Sequence, residues 1–293
     1  MRLGPALAIV LCLIVIVLRP VWPGETGARL TGVYDWSAPG IGGLSALVIE
    51  ADGTRATVLT DRGTLFQTTV LRAGDNITGI EIDGQVQLSD ENNRRFANRR
   101  SDSEGMAKTT DGALFISFEQ DHSLRRYDLT RGRTIRLPVP DAFADFGRNT
   151  GMEALAIDAQ GRLYTLPERP RSGRQGFPVW RWDGAYWERA FFLRKRAGFL
   201  AVSADIGPDG HFYLLERRVT FLGFQSRLRR WTLAPDGPED ELALFTSRPG
   251  QFGNLEGLSL WRDGTGRLVV SMVADNNFWS VMRTQIVEYV LTE

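Results

Sequence analysis

One pattern recurs five times along this chain: a strand of small and apolar residues, a glycine-containing turn, a second apolar strand, then an acidic residue. The copies run Gly42-Gly43-Leu44-Ser45-Ala46-Leu47 to Asp52-Gly53 to Asp61; Glu104-Gly105-Met106-Ala107 to Asp111-Gly112 to Glu119; and Glu153-Ala154-Leu155-Ala156 to Gln160-Gly161 to Glu168. The last two run Val202-Ser203-Ala204-Asp205-Ile206 to Asp209-Gly210 to Glu216, and Glu256-Gly257-Leu258-Ser259-Leu260 to Asp263-Gly264 to Asp275. The turn glycines at 53, 112, 161, 210 and 264 stand 59, 49, 49 and 54 residues apart. Asp-Gly between short alternating apolar runs marks a hairpin, since glycine supplies the positive φ that tight turns require. Second strands at 113–118, 162–166, 211–215 and 267–273 carry the aromatic and β-branched residues that suit a pleated surface. Further strand-like pieces at 124–129, 179–182 with 185–187, and 226–233 bring each repeat to about four strands. The expected fold is therefore all-β, a β-propeller. The roughly 265 residues after the N-terminal segment divide into five or six blades; six is the expectation and five stays open. Residues 30–36 and 284–291 would close the ring by pairing, which removes open sheet edges. Five copies of one motif argue against a β-sandwich.

The N-terminus is unlike the rest. Arg2 is followed by thirteen apolar residues at 6–18 and then Arg19-Pro20. That run is short for a membrane span, which needs about 20 residues, and suits the core of a signal peptide. Residues 1–20 are expected to be a signal peptide or signal anchor, 21–29 a linker, and 30–293 one propeller domain. The expected location is periplasmic or extracellular, with residues 3–19 holding the chain to the inner membrane if uncleaved. Cys12, the only cysteine, lies inside the apolar run, so the exported part has no disulfide, CxxC redox motif or thiolate metal site. Thirty-five basic and thirty-five acidic residues balance, so no global field favours nucleic acid or an anionic membrane surface. With His122 and His211 alone, a multi-histidine metal centre is excluded; His122 reads as a surface-loop residue or a proton carrier, and His211 as structural. No Walker loop, Gly-x-Gly-x-x-Gly or Gly-x-Ser-x-Gly elbow occurs, which removes nucleotide binding and ordinary serine-esterase chemistry. Trp180, Trp182 and Trp187 read as packing between blades.

The repeat also places charge. First strands are entered by Glu104, Glu153 and Glu256, with Asp205 three residues later in its own repeat; second strands are left at Asp61, Glu119, Glu168, Glu216 and Asp275. These two ends are neighbours in an antiparallel hairpin, so the nine acids should gather around one mouth of the central channel. Two resolutions of their repulsion stay open. Arginines after the strand ends, Arg62, Arg169, Arg217 and Arg218, could pair with them as a purely structural device, or a hard cation could bind. Calcium suits carboxylate, amide and carbonyl oxygens, and Asn276 adds an amide beside Asp275.

Gly43-Leu44-Ser45 with Asp61-Arg62-Gly63, Asp102-Ser103-Glu104-Gly105, Glu153-Ala154-Leu155-Ala156, Leu215-Glu216-Arg217-Arg218, Asn254-Leu255-Glu256-Gly257 and Asp275-Asn276-Asn277-Phe278 resemble the phytase-like family, described as esterase-like activity of phytase. The resemblance implies a propeller, an extracytoplasmic setting, and metal-assisted hydrolysis of phosphoesters or other esters. Under it, Glu104, Glu153 and Glu256 are the expected catalytic carboxylates and Arg62 and Arg217 the contacts to a small anionic ester. Asp61, Glu119, Glu168, Asp205, Glu216, Asp275 and Asn276 are the expected calcium ligands. A lysine-rich phytate cleft is missing, since Lys108 and Lys195 are the only lysines. The alternatives are a non-catalytic envelope propeller that binds a small ligand or partner protein, and a lactonase-like propeller.

Overall fold

The computed structural model describes residues 27–96, 102–128, 132–146, 151–169, 176–276 and 282–292. The expected N-terminal export segment, Cys12, and Asn277-Phe278 lie outside the described residues. Among the described residues no helix is long and apolar enough to cross a membrane.

Among the described residues twenty strands form five four-stranded antiparallel sheets. The first blade holds β2 (Leu44–Ile49), β3 (Arg55–Thr60), β4 (Thr64–Ala73) and β5 (Asn76–Gln87). The second holds β6 (Ser103–Lys108), β7 (Leu114–Phe118), β8 (Ser123–Asp128) and β9 (Arg133–Arg136), and the third β10 (Met152–Ile157), β11 (Leu163–Pro167), β12 (Gly176–Trp182) and β13 (Trp187–Arg194). The fourth holds β14 (Leu200–Ile206), β15 (Phe212–Thr220), β16 (Gly223–Ala234) and β17 (Gly237–Thr246). The fifth is composite: β18 (Asn254–Arg262), β19 (Leu268–Asp275) and β20 (Gln285–Leu291) take the N-terminal β1 (Ala28–Asp35) as their outer strand. Its register runs from Ala28 opposite Leu291 to Asp35 opposite Gln285.

The all-β propeller and its closure by the two terminal strands are as expected, and of the two blade counts left open the protein has five. A sixth is not formed because the terminal strands complete the fifth blade. The surplus length goes into long strands such as β5, which runs for 12 residues.

The first strand of each blade lies innermost. β2, β6, β10, β14 and β18 contact one another in sequence around the channel, and β18 returns to β2. These strands are almost entirely buried, while the outer β5 and β13 face solvent along much of their length. Five hydrophobic clusters each fill one junction between adjacent blades. Trp182 is buried in the junction of the second and third blades, with Trp180 and Trp187 packed edge-on against Phe143. The turn glycines behave as expected in four blades: Gly53, Gly112, Gly161 and Gly210 all have φ between 70° and 92°. In the fifth blade the equivalent residue is Gly266 rather than Gly264. Gly266 has φ of 85°, and its N–H donates to Asp263, three residues back, as the other four do in their loops.

One irregularity is common to all blades. Register between the first two strands skips between Leu44 and Ala46, Ser103 and Met106, Met152 and Ala154, Ala201 and Ser203, and Leu255 and Gly257. A β-bulge of this kind leaves a residue unpaired and re-aims its side chain. Gly257 follows one bulge because the inner strands crowd together. A Cβ there would lie 2.5 Å from Val273 and 3.0 Å from the backbone of β2.

The seam beside the closing strand is pinned by Glu288 on β20, which accepts from Arg72 Nη1 and Nη2 at 2.7 and 2.8 Å and from Ser271 Oγ at 2.6 Å. Glu288 is 2% exposed, so its removal leaves a largely buried guanidinium unpaired. Glu288→Ala should lower unfolding free energy by about 3 kcal/mol in a urea titration. A loss below about 1 kcal/mol, the scale of a surface pair, would show that the seam does not depend on it.

Candidate active site at one mouth of the channel

Each blade contributes two equivalent positions near one end of the channel. The first is the bulged residue of the inner strand: Ser45, Glu104, Glu153, Val202 and Glu256. The second ends the neighbouring strand, and the register identifies it. Leu44 faces Thr60, Ser103 faces Phe118, Met152 faces Pro167, Ala201 faces Glu216, and Leu255 faces Ala274. The next residues are therefore equivalent: Asp61, Glu119, Glu168, Arg217 and Asp275. Four blades supply an acid and the fourth blade an arginine.

Two expected members are not at this mouth. Glu216 is one residue short of the equivalent place, and a one-residue offset turns a strand side chain to the other face. It is buried within its own blade, where Arg227 Nε donates to Oε2 at 2.8 Å, Arg229 Nε to Oε2 at 2.7 Å, and Arg229 Nη2 to Oε1 at 2.6 Å. β15 runs on to Thr220, so no turn marks the position in sequence. Asp205 lies three residues beyond Val202, about 10 Å along the strand toward the opposite mouth. There its carboxylate accepts from Ile206 N at 2.8 Å and Leu260 N at 2.7 Å, latching the fourth blade to the fifth. Burial raises the Asp205 pKa to about 7.

The remaining expected residues converge. Arg217 Nη1 donates to Glu256 Oε1, and Arg217 Nη2 to Glu168 Oε1 at 3.4 Å. Asn276 Oδ1 accepts from Gly43 N at 3.2 Å, bridging the fifth and first blades. Arg62 follows Asp61 at the exposed rim and favours its charge. Arg169 Nε donates to Glu168 Oε2 at 3.0 Å from a solvent-facing position. Arg218 points the other way, over the Phe199 ring and onto Gln225 and the Ala197 carbonyl.

Two residues at the mouth were not among the expected ligands. Asp102, Glu104 and Glu119 each offer a carboxylate oxygen within 4.8 Å of the others. Asn254 Nδ2 donates to Glu256 Oε1 at 2.6 Å, and its Oδ1 accepts from Arg217. Their sequence signal was their place, each two residues before a bulge glutamate.

Burial and mutual repulsion dominate the electrostatics. Desolvation, then Glu153, Glu256, Asp102 and Glu119, push Glu104 well above the usual carboxylate range. Glu153 is raised likewise by burial, Glu119, Glu168 and Glu256, with Arg217 opposing. Burial lifts Glu119 to about 7 against a hydrogen bond to Glu153, and lifts Glu256 to about 7 against Arg217. Asp61 rises to about 6 through burial, with Asp102 and Glu256 adding to the rise. Burial works against the charge of Arg217, yet Glu256, Glu153 and Glu168 raise its pKa. Asp61 Oδ1 and Ser45 Oγ are buried with no hydrogen-bond partner. His122 sits beside this mouth with φ of 44°, its N–H donating to the Glu119 carbonyl at 3.2 Å and its Nδ1 buried without a partner.

The set is all hard oxygen donors, short of positive charge. It can bind a divalent cation, or hold protons in its place. Without a cation, stability should depend on pH in a defined direction. An acid with a folded pKa near 7 and an unfolded pKa near 4.5 keeps its proton in the folded state while the unfolded chain ionises. Such a group costs no stability below about pH 4.5, destabilises the fold increasingly as pH rises to about 7, and keeps that full penalty above. Carboxyls lowered by their partners, such as Asp263 at about 2, act below this window. In chelator the melting temperature should fall from pH 4.5 to 7.5, and Glu153→Gln should flatten that fall. A flat or rising profile in the parent protein would contradict the repulsive crown.

Comparison with known proteins bears on the family alone. A search of curated proteins found no match. Among solved structures the chain is similar to the hydrazine synthase of Kuenenia stuttgartiensis, with 14% sequence identity and a TM-score of 0.44 over 88% of this chain. It spans 65% of the length of that chain. The family model for phytase-like proteins, esterase-like activity of phytase, matches residues 39–278, which include all five bulges and every strand-end residue of the mouth. The chain belongs to the phytase-like family.

Proposed function

We propose that the acidic mouth is the active site of a divalent-cation-assisted hydrolase of small anionic esters, phosphoesters or others, with calcium as the cation. The observation that carries this reading is the close approach of Asp102, Glu104 and Glu119, joined by orphaned buried oxygens on Asp61 and Ser45. Four carboxyls and a hydroxyl, offset only in part by Arg62 at the rim, suit a hard cation better than a structural ion-pair network, in which the acids would already be paired.

Asp102, Glu104 and Glu119 would hold the cation, with Asp61 and Asp275 completing the ring of acids. Bound there, it would supply Lewis-acid polarisation of a phosphoryl or acyl oxygen. Glu153, hydrogen-bonded to Glu119, titrates above the usual carboxylate range. Such a group can take a proton from an attacking water and return it to the leaving oxygen near neutral pH. Arg217, fixed by Glu256 and Asn254, presents its guanidinium to the anionic end of the substrate. Glu256 thus positions Arg217, a different role from the catalytic one expected of it, while Arg62 remains at the rim. A polyphosphate such as phytate is disfavoured. Lys108 is tied to Glu50 away from this mouth, and one buried arginine matches one anionic group. The extracytoplasmic setting expected from the N-terminal apolar run belongs to the same proposal.

Calorimetry on the full chain should show calcium binding that weakens about tenfold or more in Glu104→Gln, because affinity follows the ligand charge count. Hydrolysis of p-nitrophenyl phosphate or p-nitrophenyl acetate should require calcium and be lost in Glu153→Gln. No calcium binding, or no calcium-dependent hydrolysis of either ester between pH 6 and 9, would remove this reading.

A further inference from the structure

The fourth blade departs from the repeat in one more way. Its second and third strands continue past the mouth as an extended hairpin, with Arg217, Arg218, Val219 and Thr220 facing Ser226, Gln225, Phe224 and Gly223. The two residues at the tip are Phe221 and Leu222. Two-residue hairpin turns usually carry asparagine, aspartate or glycine, which the backbone needs and water tolerates. Here the turn is already secured without the tip side chains. Thr220 Oγ1 donates to the Gly223 carbonyl at 2.7 Å and accepts from Leu222 N at 3.2 Å, and Gly223 takes φ of 109°. Phe221 is fully exposed, Val219 76% and Leu222 64% exposed, so none contributes packing to the fold. Three adjacent large apolar side chains held in water on an ordered hairpin cost solubility and stabilise nothing inside the protein.

Position assigns them a partner. Strand residues two apart share a face. Arg218 points away from the mouth, over Phe199, whereas Arg217 reaches into it; Val219, two residues beyond Arg217, lies on the Arg217 face about 7 Å further out. Close to its tip the hairpin backbone is held against the 248–251 loop, where Gly250 N donates to the Phe224 carbonyl at 2.8 Å. Three residues after that loop come Asn254 and then Glu256, the residues that fix Arg217. The apolar tip is therefore continuous, along one strand, with the guanidinium proposed to hold the anion.

We infer that the substrate is an amphiphile: an ester whose anionic or reacting head lies at Arg217 and whose alkyl or aryl part lies against Val219, Phe221 and Leu222. This rests on the hydrolase reading for the location of the head, and deepens it by naming the substrate class.

The test uses ligands that cannot be hydrolysed, so that binding and reaction are separated. With calcium present, the full chain is titrated with methylphosphonate and octylphosphonate, below the micelle concentration of the latter. The octyl ligand should bind about tenfold or more tightly, the effect of burying roughly two methylenes. Phe221→Ser/Leu222→Ser, with Val219 left in place, should lose most of that preference. Tyr186→Ser, also exposed but on the β12–β13 turn of the neighbouring third blade, at the end away from the mouth, should keep the preference. Equal affinities in the parent, binding of neither ligand, or a preference that survives the double variant would overturn the inference. A chain-length preference carried by the hairpin, in a protein that hydrolyses no ester, would instead uphold the ligand class while the hydrolase reading fails.

Discussion

Closure of the ring by β1 and β20 is the constraint from which the other features follow. A linear array of four-stranded sheets would leave two open edges and an unpaired apolar face at each end. Pairing Ala28 with Leu291 through to Asp35 with Gln285 covers β20 and ties the ring shut, leaving β1 as the outer strand of the fifth blade, and so lets all five junctions fill with apolar side chains. It also forces the five inner strands onto one narrow circle. Whatever stands at the same place in each blade then stands beside its own copies.

Most of those copies are acids, and that is costly. Glu104, Glu153, Glu119 and Glu256 are drawn together, buried or half-buried, and Glu153, Glu119 and Glu256 each raise the pKa of another. The blades tolerate this because their cohesion lies elsewhere, in the junction clusters and in paired charges such as Glu216 with Arg227 and Arg229. A stable scaffold carrying a locally unfavourable site is the usual arrangement where chemistry or binding is performed.

The site owes its direction to the blade that breaks the pattern. In the fourth blade the bulged residue is Val202 and the strand-end residue is Arg217, so the crown has one cationic sector facing the acids. The same blade carries the long hairpin with Phe221 at its tip. Five identical blades would make a symmetric ring of charge; one altered blade gives the mouth a single cationic side and an apolar hairpin beside it.

Much of this was legible in the chain. The period of the repeat, the strand pairs, the terminal closure and the gathering of Glu104, Glu153, Glu256, Asp61, Glu119, Glu168 and Asp275 all follow from residue order, because hairpins are local and a repeat places like residues alike. What failed was register. Nothing in Leu215-Glu216-Arg217-Arg218 says which residue faces the channel, since β15 has no turn to end it, and Glu216 stood in for Arg217. Asp205 misled for the same reason, lying on an inner strand but near its other end. Gly264 and Gly266 stand two residues apart in one loop, and its hydrogen bonds alone decide that Gly266 makes the turn. The amino-acid sequence thus determined the architecture and the composition of the acidic mouth. Only the tertiary structure decided the five-blade count, which charge points inward, and that Asp102, Arg217 and the apolar hairpin share one end, because side-chain facing in a strand reverses with every residue and is set by pairing partners far along the chain.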